Sequence, residues 1–449
     1  MNKKILLLLT ICLAIPTFVV ASSFTESELK GLLLSNNLQL QQAKNEQELS
    51  ILDRKDAKTG YGPTIDLEIS GTYLQNTMVL NIPSGLGLPS PLKIASEPTL
   101  YNFSLTLAQP VWTWGKLKNG VAMTEKLVEI RQKQRFALQK SLLAELESRF
   151  YAQHYLSKME ALLDEQAKHS QSLVNLVGEG FANNMVLEEE VLSAKVFAKQ
   201  LELAKVQVAQ QVQRQRSSIG RLCVIDLDAS DDLVWDLDEQ SLRSMLSYDL
   251  KTLKAMATAR NQEQVRIATL MTELASLGSS IAKGQLYWKP DMAMQVALGY
   301  GGSKFPFIED GWEHRDDYTL NVSVGMKTTI WDGGKKFHEV SRNAIKESQA
   351  QLDMAQVYQA IEAQVEEAYL SLHLADENLA YLKLKKGSTD AEVVQQQFLV
   401  DSGYGSEVDL LKAKLASLSV GFEIEQQWLA YTGFFVTIKT LCGVENPLL

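Results

Sequence analysis

The sequence predicts a mainly α protein with a small β part, in which one helix–strand–strand–long helix–helix unit occurs twice. The first observation behind this prediction is a repeat at one constant offset. Trp112 recurs as Trp331, 219 positions later. The same offset relates Glu190 to Asp409. The other two observations are long amphipathic helical segments and short alternating segments, which follow in the same order in both halves. A constant offset across several elements indicates a duplicated unit.

The first 21 residues have the composition of a secretory signal peptide. Lys3 and Lys4 precede an almost wholly apolar stretch that ends at the small residue Ala21, so cleavage is expected before Ser22. An uncleaved N-terminal anchor is the alternative. We therefore expect the mature chain to leave the cytoplasm.

The amino-acid composition disfavours nucleic acid as a partner. The 54 acidic residues against 44 Lys and Arg give a net charge of −10, which offers no electrostatic reason to bind nucleic acid. Beyond the predicted signal peptide only Cys223 and Cys442 remain, too few for a disulfide framework. Because no further apolar run of about 18 residues follows, contact with a bilayer would require β-strands or other proteins.

Domain boundaries follow from the repeat. We expect a first structural repeat over residues 22–225, a connector over 226–239 and a second repeat over 240–449. The predicted strands cover about 64–75, 99–113, 290–301 and 316–331. The predicted helices cover about 24–59, 117–178 and 184–220 in the first repeat, and about 240–283, 335–400 and 405–442 in the second. A helix of about 60 residues is roughly 90 Å long, more than a globular domain needs.

The four predicted strands share a strict alternation of apolar with polar or small residues. Each spans about ten residues, the length of a tilted strand that crosses a bilayer. Aromatic residues bracket the strands, as in the girdles of membrane barrels. They are Tyr61, Trp112, Trp114, Tyr287, Trp288 and Trp331. The predicted membrane-interface anchors are the four tryptophans of this set: Trp112, Trp114, Trp288 and Trp331. The alternative is an ordinary antiparallel sheet packed on helices.

Four strands cannot close a membrane barrel, because the smallest barrels have eight. An open edge in lipid is costly, since each unpaired backbone group costs several kcal/mol. If the strands lie in a membrane, the sequence therefore predicts an oligomer with a shared barrel.

Local motifs accompany this order of elements. The segment from Asn37 to Ala43 matches Asn-Pro-x-Leu-x-x-Ala except at Leu38, and a proline precedes the first strand of each repeat. Residues 403–413 match Gly-x5-Asp-(Val/Leu)-Leu-x-Ala, and in the first repeat Asn184, the next-best residue for a left-handed backbone, takes the glycine position. Together these features resemble the TolC-like outer-membrane efflux and secretion channels of Gram-negative bacteria, the outer membrane factors.

The resemblance implies a homotrimer in the outer membrane that extends into the periplasm. Three chains would form a twelve-stranded β-barrel, continued by a periplasmic α-helical barrel. Met294 and Leu320 would face outer-membrane lipid, and the loops near 76–98 and 302–316 would face the exterior. The residues expected to line the lumen are Asp66, Glu68, Asn102, Ser104, Thr106, Gln295, Asn321 and Ser323.

The resemblance also implies a pore gate at the helix tips. Asp409 takes the family's first position in an acidic ring that selects cations, and Glu190 matches an acidic partner of the closed tips. Lys412, Val400 and Gly405 depart from the family pattern, so ring and lock are at most partial. The alternative is that Asp409 is a solvated acid favoured by the helix dipole.

The same tips are expected to dock a periplasmic adaptor, or membrane fusion protein. The alternative is that they form only helix–helix turns. The residues expected at the docking site are Gly178, Gly180, Asn183, Asn184, Gly403, Tyr404 and Gly405.

The sequence holds no catalytic constellation, phosphate loop or ligand-spaced His pair, so neither enzyme activity nor a cofactor or metal is expected. The predicted function is the exit duct of a tripartite efflux pump or type I secretion system. It would passively export small molecules or polypeptides and work with an inner-membrane RND, ABC or MFS pump. The alternative is a soluble periplasmic helical coiled-coil scaffold or chaperone.

Overall fold

The computed structural model describes residues 23–75, 79–82, 92–95, 98–227, 232–234, 239–259, 262–302 and 317–443. The predicted signal peptide lies outside the described residues, as does the predicted exterior loop at 302–316 apart from Gly302. In the other predicted exterior loop, the structure describes two short segments that form paired strands.

Helices account for most of the described chain, with a smaller contribution from strands. The helices are α1 (Glu26–Asn36), α2 (Leu38–Thr59), α3 (Lys116–Ala182), α4 (Glu188–Cys223), α5 (Glu239–Leu242), α6 (Leu250–Ala257), α7 (Glu263–Gly284), α8 (Lys335–Asp401) and α9 (Glu407–Cys442), with a 3-10 turn at Arg243–Ser247. The strands are β1 (Ser23–Thr25), β2 (Thr64–Tyr73), β3 (Val79–Ile82), β4 (Leu92–Ala95), β5 (Thr99–Trp112), β6 (Asp232–Val234), β7 (Asp291–Gly302) and β8 (Tyr318–Lys327). The predicted mainly α class with a small β part is confirmed.

The lengths of the long helices reflect the internal repeat. Helices α3 and α8 have 67 residues each, and α4 and α9 have 36 residues each. The segment predicted as a connector contains β6, which pairs in parallel with β1. In the part of the chain that the structure describes, no helix is both long and apolar enough to cross a membrane.

The chain divides into two compact units that do not coincide with the repeats. The first unit comprises Met1–Gln41, Ala137–Gln262 and Gln359–Leu449, and the second comprises Gln42–Phe136 and Glu263–Tyr358. Each unit therefore draws on both halves of the sequence.

The second unit contains an antiparallel four-stranded sheet in the order β2–β5–β7–β8. Strands β5 and β7 join the two repeats side by side. Their pairing is regular from Tyr101 to Pro110 and then shifts at a bulge before Trp112. Sequence alternation and register together decide which side chains share a face.

In the first unit, one core cluster forms where α4 packs on α1. Leu29, Leu146 and Ile219 are fully buried in it. Cys223, in the same cluster, donates its thiol to the carbonyl of Leu29 at 3.5 Å. The repeat-related Cys442 donates to Leu253 at the same distance. Both cysteines are free, and burial raises the pKa of each thiol to about 11.

The helices predicted over 24–59 and 240–283 are not continuous. The first is interrupted at Asn37, whose side-chain oxygen accepts the N–H groups of Gln39 and Leu40 and starts α2. Its amide nitrogen donates to the carbonyl of Leu222 at 2.9 Å. Asparagine competes with the helical backbone in this way. The second is divided into α5, the 3-10 turn, α6 and α7.

Candidate functional sites

The turns that follow α3 and α8, here called the first and second tips, have the same backbone hydrogen bonds. The N–H groups of Met185 and Tyr404 each donate to a carbonyl five residues earlier, at 2.8 and 2.9 Å. This Schellman pattern needs a left-handed residue one position before the donor. Asn184 and Gly403 supply it, with φ angles of 60° and 76°. Asparagine thus replaces glycine as expected.

The predicted tip glycines have three different environments. A Cβ on Gly180 would lie 2.7 Å from a methyl carbon of Val186, so the first tip has no room for a side chain there. A Cβ on Gly405 would lie 2.6 Å from a backbone nitrogen in the second tip. Gly178 lies within α3, with no atom within 4 Å of the Cβ position.

The predicted end of this helix at about residue 178 is therefore wrong, because α3 continues to Ala182. One glycine costs a helix only about 1 kcal/mol relative to alanine, and a helix this long tolerates that cost. Asn183 is the first residue after the helix and donates its N–H to a carbonyl four residues earlier, at 3.1 Å.

The two predicted gate acids lie in the first turns of the helices that leave the tips. Glu190 and Asp409 are both exposed, in α4 and α9. The hydroxyl of Ser406 caps α9 by accepting the N–H of Val408 at 3.2 Å. Acidic residues stabilise a helix N-terminus through the backbone dipole, so these positions suit that interpretation as well. The gate role of both residues stays a prediction.

A groove of about 740 Å³ runs between α3, α4 and α9 beside the first tip. Leu173 and Phe197 give it an apolar lining, while Glu189, Glu190 and Lys412 bring charges of both signs to it. Asp409 is not among its lining residues. Lys412, which stands where the family has a second acid, thus shares a groove with Glu190.

Sequence reasoning missed the exposed apolar side chains of the first tip. Phe181, Met185 and Leu187 are 46%, 81% and 69% exposed. In the second tip Tyr404 is 88% exposed. Large apolar residues next to an asparagine pair were the available signal, and such exposure is typical of a surface that a partner covers.

The register of the sheet places all the predicted lumen residues on one face. Asp66 lies opposite Thr106, Glu68 opposite Ser104, and Gln295 opposite Ser323. Asn321 lies in the same cross-strand row as Asp66, because Asn321 and Thr106 pair with the same alanine of β7. Asn102 also lies on this face, two residues from Ser104.

The opposite face of the sheet is apolar, and it is most exposed on the outer strands β2 and β8. One row across all four strands consists of leucines alone: Leu67, Leu105, Leu298 and Leu320. Leu320 is 68% exposed, and Met294 lies on the same face. A contiguous apolar face of this kind indicates contact with an apolar environment or a partner.

The aromatic residues predicted to bracket the strands all lie at one end of the sheet. Antiparallel order explains this: the starts of β2 and β7 meet the ends of β5 and β8. Trp112, Trp114, Trp288 and Trp331 are 42–73% exposed at this end. The prediction that these residues flank both ends was wrong. A second aromatic band at the far end consists of Tyr73, Tyr101, Tyr300 and Tyr318.

The turn between β5 and α3 holds Trp114 of the tryptophan-rich end of the sheet in place. Trp114 has a left-handed backbone, with φ of 51°, and its indole N–H donates to the carbonyl of Pro290 at 2.9 Å. Lys116 forms an ion pair with Asp291 at 2.5 Å. In the repeat-related corner, Gly333 takes the position of Trp114, with φ of 72°.

Comparison with known proteins identifies the family. The model of a family described as outer membrane efflux protein matches residues 29–223 and 298–441, which is more than half of the chain. The chain belongs to the outer membrane efflux protein family. This membership confirms the resemblance to TolC-like channels. No curated protein matches the chain in sequence.

Three solved structures illustrate the shared fold. CusC, studied for folding and transmembrane channel formation, is 12% identical, with a TM-score of 0.76 over 94% of this chain and 92% of that chain. The CmeC outer membrane channel of Campylobacter jejuni is 15% identical, with a TM-score of 0.76 over 93% and 85%. VceC, an outer membrane protein of Vibrio cholerae, is 12% identical, with a TM-score of 0.74 over 93% and 96%.

As a member of this family, the chain is a transport protein of the outer membrane rather than an enzyme. This location disfavours the alternative of a soluble periplasmic scaffold. Across the described residues, no group of three or more His, Cys, Asp or Glu side chains is arranged to hold a metal ion.

Proposed function

We propose that this protein is the exit duct of a tripartite efflux pump or a type I secretion system. It passively exports small molecules or polypeptides across the periplasm and the outer membrane. The observation that carries the proposal is the four-stranded sheet, whose one face is polar and whose other face is apolar and exposed. Such a sheet needs water on one face and lipid on the other.

The edges of the sheet imply the oligomer. Among the described residues, β2 and β8 each pair with a single strand of the sheet. In lipid each unpaired backbone group costs several kcal/mol, so these edges need partners. Three copies supply a twelve-stranded barrel, and we propose a homotrimer with the polar faces lining the lumen.

The tips are the proposed contact with a periplasmic adaptor, which links the duct to an inner-membrane RND, ABC or MFS pump. The groove beside the first tip and the exposed Phe181, Met185 and Leu187 offer apolar surface for a partner. Glu190 and Lys412 add charges that fix its orientation.

Asp409 is the proposed selectivity residue. In a trimer it contributes three carboxylates around one axis, which raises the negative potential for passing cations. Glu407 lies in the same first helical turn and is also exposed, so it provides a matched control for the dipole interpretation.

Single-channel conductance in a planar bilayer tests both proposals. The detergent-extracted protein should form stable pores, and Asp409→Asn should weaken their cation preference while Glu407→Gln leaves it unchanged. Equal effects of both substitutions would discard the gate role of Asp409 and leave the duct intact. A protein that never forms pores would refute the duct.

A further inference from the structure

Two lysines lie over aromatic rings at the end of the sheet where the tryptophans gather. The ammonium nitrogen of Lys289 is 6.0 Å from the ring centroid of Trp114, and that of Lys336 is 4.8 Å from the ring of Tyr287. We call these the lysine–aromatic pairs. Cation–π attraction holds each ammonium in place and leaves its N–H donors available to another acceptor.

Each lysine–aromatic pair adjoins an exposed tryptophan. Trp112 meets Trp114 edge to face with centroids 6.0 Å apart, and Trp331 lies 6.5 Å from Tyr287. Trp112 and Trp331 are 56% and 73% exposed. The rings are held by hydrogen bonds, from Trp114 to the carbonyl of Pro290 and from Tyr287 to a carboxylate.

Two carboxylates near these lysines in sequence, Asp291 and Asp332, are already engaged. Asp291 is paired with Lys116 at 2.5 Å. The carboxylate of Asp332 accepts a hydrogen bond from the hydroxyl of Tyr287. It attracts Lys336 electrostatically without forming an ion pair with it. In the described part of the chain, neither Lys289 nor Lys336 has a carboxylate within ion-pair distance. Neither ammonium is therefore held in an ion pair within the described residues, although Asp332 attracts Lys336 electrostatically.

The apolar face of the sheet extends to Trp112, whose ring contacts Trp114 of the first lysine–aromatic pair. Trp112 lies opposite Met292, which lies opposite Met326. A ligand that covers both features needs long apolar chains next to a negatively charged head. A phospholipid with an anionic headgroup has this chemistry, whereas a soluble anion or an acidic peptide lacks the chains.

We propose that the lysine–aromatic pairs bind the headgroup phosphate of anionic phospholipids in the periplasmic leaflet, with the acyl chains along the apolar face. This inference rests on the proposed function, because it requires the sheet to lie in the membrane. Tryptophan rings settle at the headgroup level, and a lysine near a membrane surface gains roughly 5-fold in affinity for anionic lipid. The site makes the protein selective for lipid charge.

Native mass spectrometry of the detergent-extracted full chain tests the site. The protein is titrated with phosphatidylglycerol and with phosphatidylcholine of identical acyl chains. We expect phosphatidylglycerol to bind at least about 5-fold more tightly, and Lys289→Gln with Lys336→Gln to abolish the difference. The charge-preserving double variant with arginine at both positions should retain it.

The matched control removes two exposed lysines elsewhere, Lys195→Gln with Lys251→Gln, and should leave the preference unchanged. Equal binding of both lipids by the wild type, or a preference that survives the Lys289 and Lys336 substitutions, would overturn the inference. Conductance in pure phosphatidylcholine separates the two proposals. Pores without lipid preference refute only this site, whereas a protein without pores refutes the duct.

Discussion

Asn184 and Gly403 hold equivalent left-handed backbone positions in the two tips, with φ angles of 60° and 76°. We expect Gly403→Ala to lower the free energy of unfolding by about 1 kcal/mol, because a Cβ strains this backbone while meeting no atom within 4 Å. Asn184→Gly should change it little, because glycine also tolerates the left-handed backbone. Denaturant unfolding of the detergent-extracted protein measures both changes.

Gly178→Ala is the control for this pair. It lies inside α3 and has equally open space, so alanine should stabilise the helix by up to about 1 kcal/mol. A Gly403→Ala variant that gains stability in the same way would contradict the left-handed assignment.

Two repeat-equivalent glutamates form ion pairs with lysines at non-equivalent positions. Glu147 and Glu366 are equivalent, but only the first is buried, with 7% of its side chain exposed against 49%. We expect Lys439→Met to cost about 3 kcal/mol, because the hydroxyl of Tyr151, at 2.8 Å, would then be the only hydrogen-bond partner of the Glu147 side chain within the described residues. Lys254→Met should cost less than about 1 kcal/mol. If both substitutions lowered the free energy of unfolding in urea by similar amounts, burial of the glutamate would not be the deciding factor.

Adjacent residues of β8 test the two faces of the sheet. Leu320→Arg places a charge on the apolar face, which costs about 2–4 kcal/mol at the middle of a bilayer. We expect this variant to lose heat-modifiable, detergent-stable oligomers, whereas Asn321→Arg on the polar face should assemble. Normal assembly of the Leu320 variant would argue against lipid contact at this row.

His154 makes stability depend on pH. Burial, reinforced by Lys158, lowers its pKa to about 4 from the usual 6.5. Between these values the unfolded chain binds a proton that the folded chain does not, so stability should fall as pH falls from about 6.5 to about 4. His154→Gln should flatten this dependence, and the exposed His338→Gln should not. Identical pH profiles of thermal unfolding for both variants would exclude His154 as a cause.

Sequence reasoning succeeded where a residue type has one dominant structural use. Asn184 was expected to replace a left-handed glycine because few other residues tolerate that backbone, and the structure agrees. Strict alternation likewise predicted one face for Asp66 and Thr106, which the register confirms. These features depend on the chemistry of single residues and on the two-residue alternation of a β-strand.

The same reasoning failed where distant contacts decide. The glycine at position 178 predicts a helix end, but α3 continues past it to Ala182. At Asn37 a bond to Leu222 stabilises a helix break that periodicity does not reveal. The single-ended aromatic band follows from strand order, which pairs segments of different repeats. The groove beside the first tip needs three helices and has no local signal.

The pairing of β5 with β7 means that the sheet forms only after the second repeat has been synthesised. Leu105 lies opposite Leu298, so the ribosome delivers the second of these partners long after the first. Until then the hairpin of β2 and β5 presents an apolar row and an unpaired edge, a state prone to aggregation. This state lasts until the second half of the chain is available. Cutting the chain between its repeats would leave β5 and β7 each without the neighbour that it has in the intact chain.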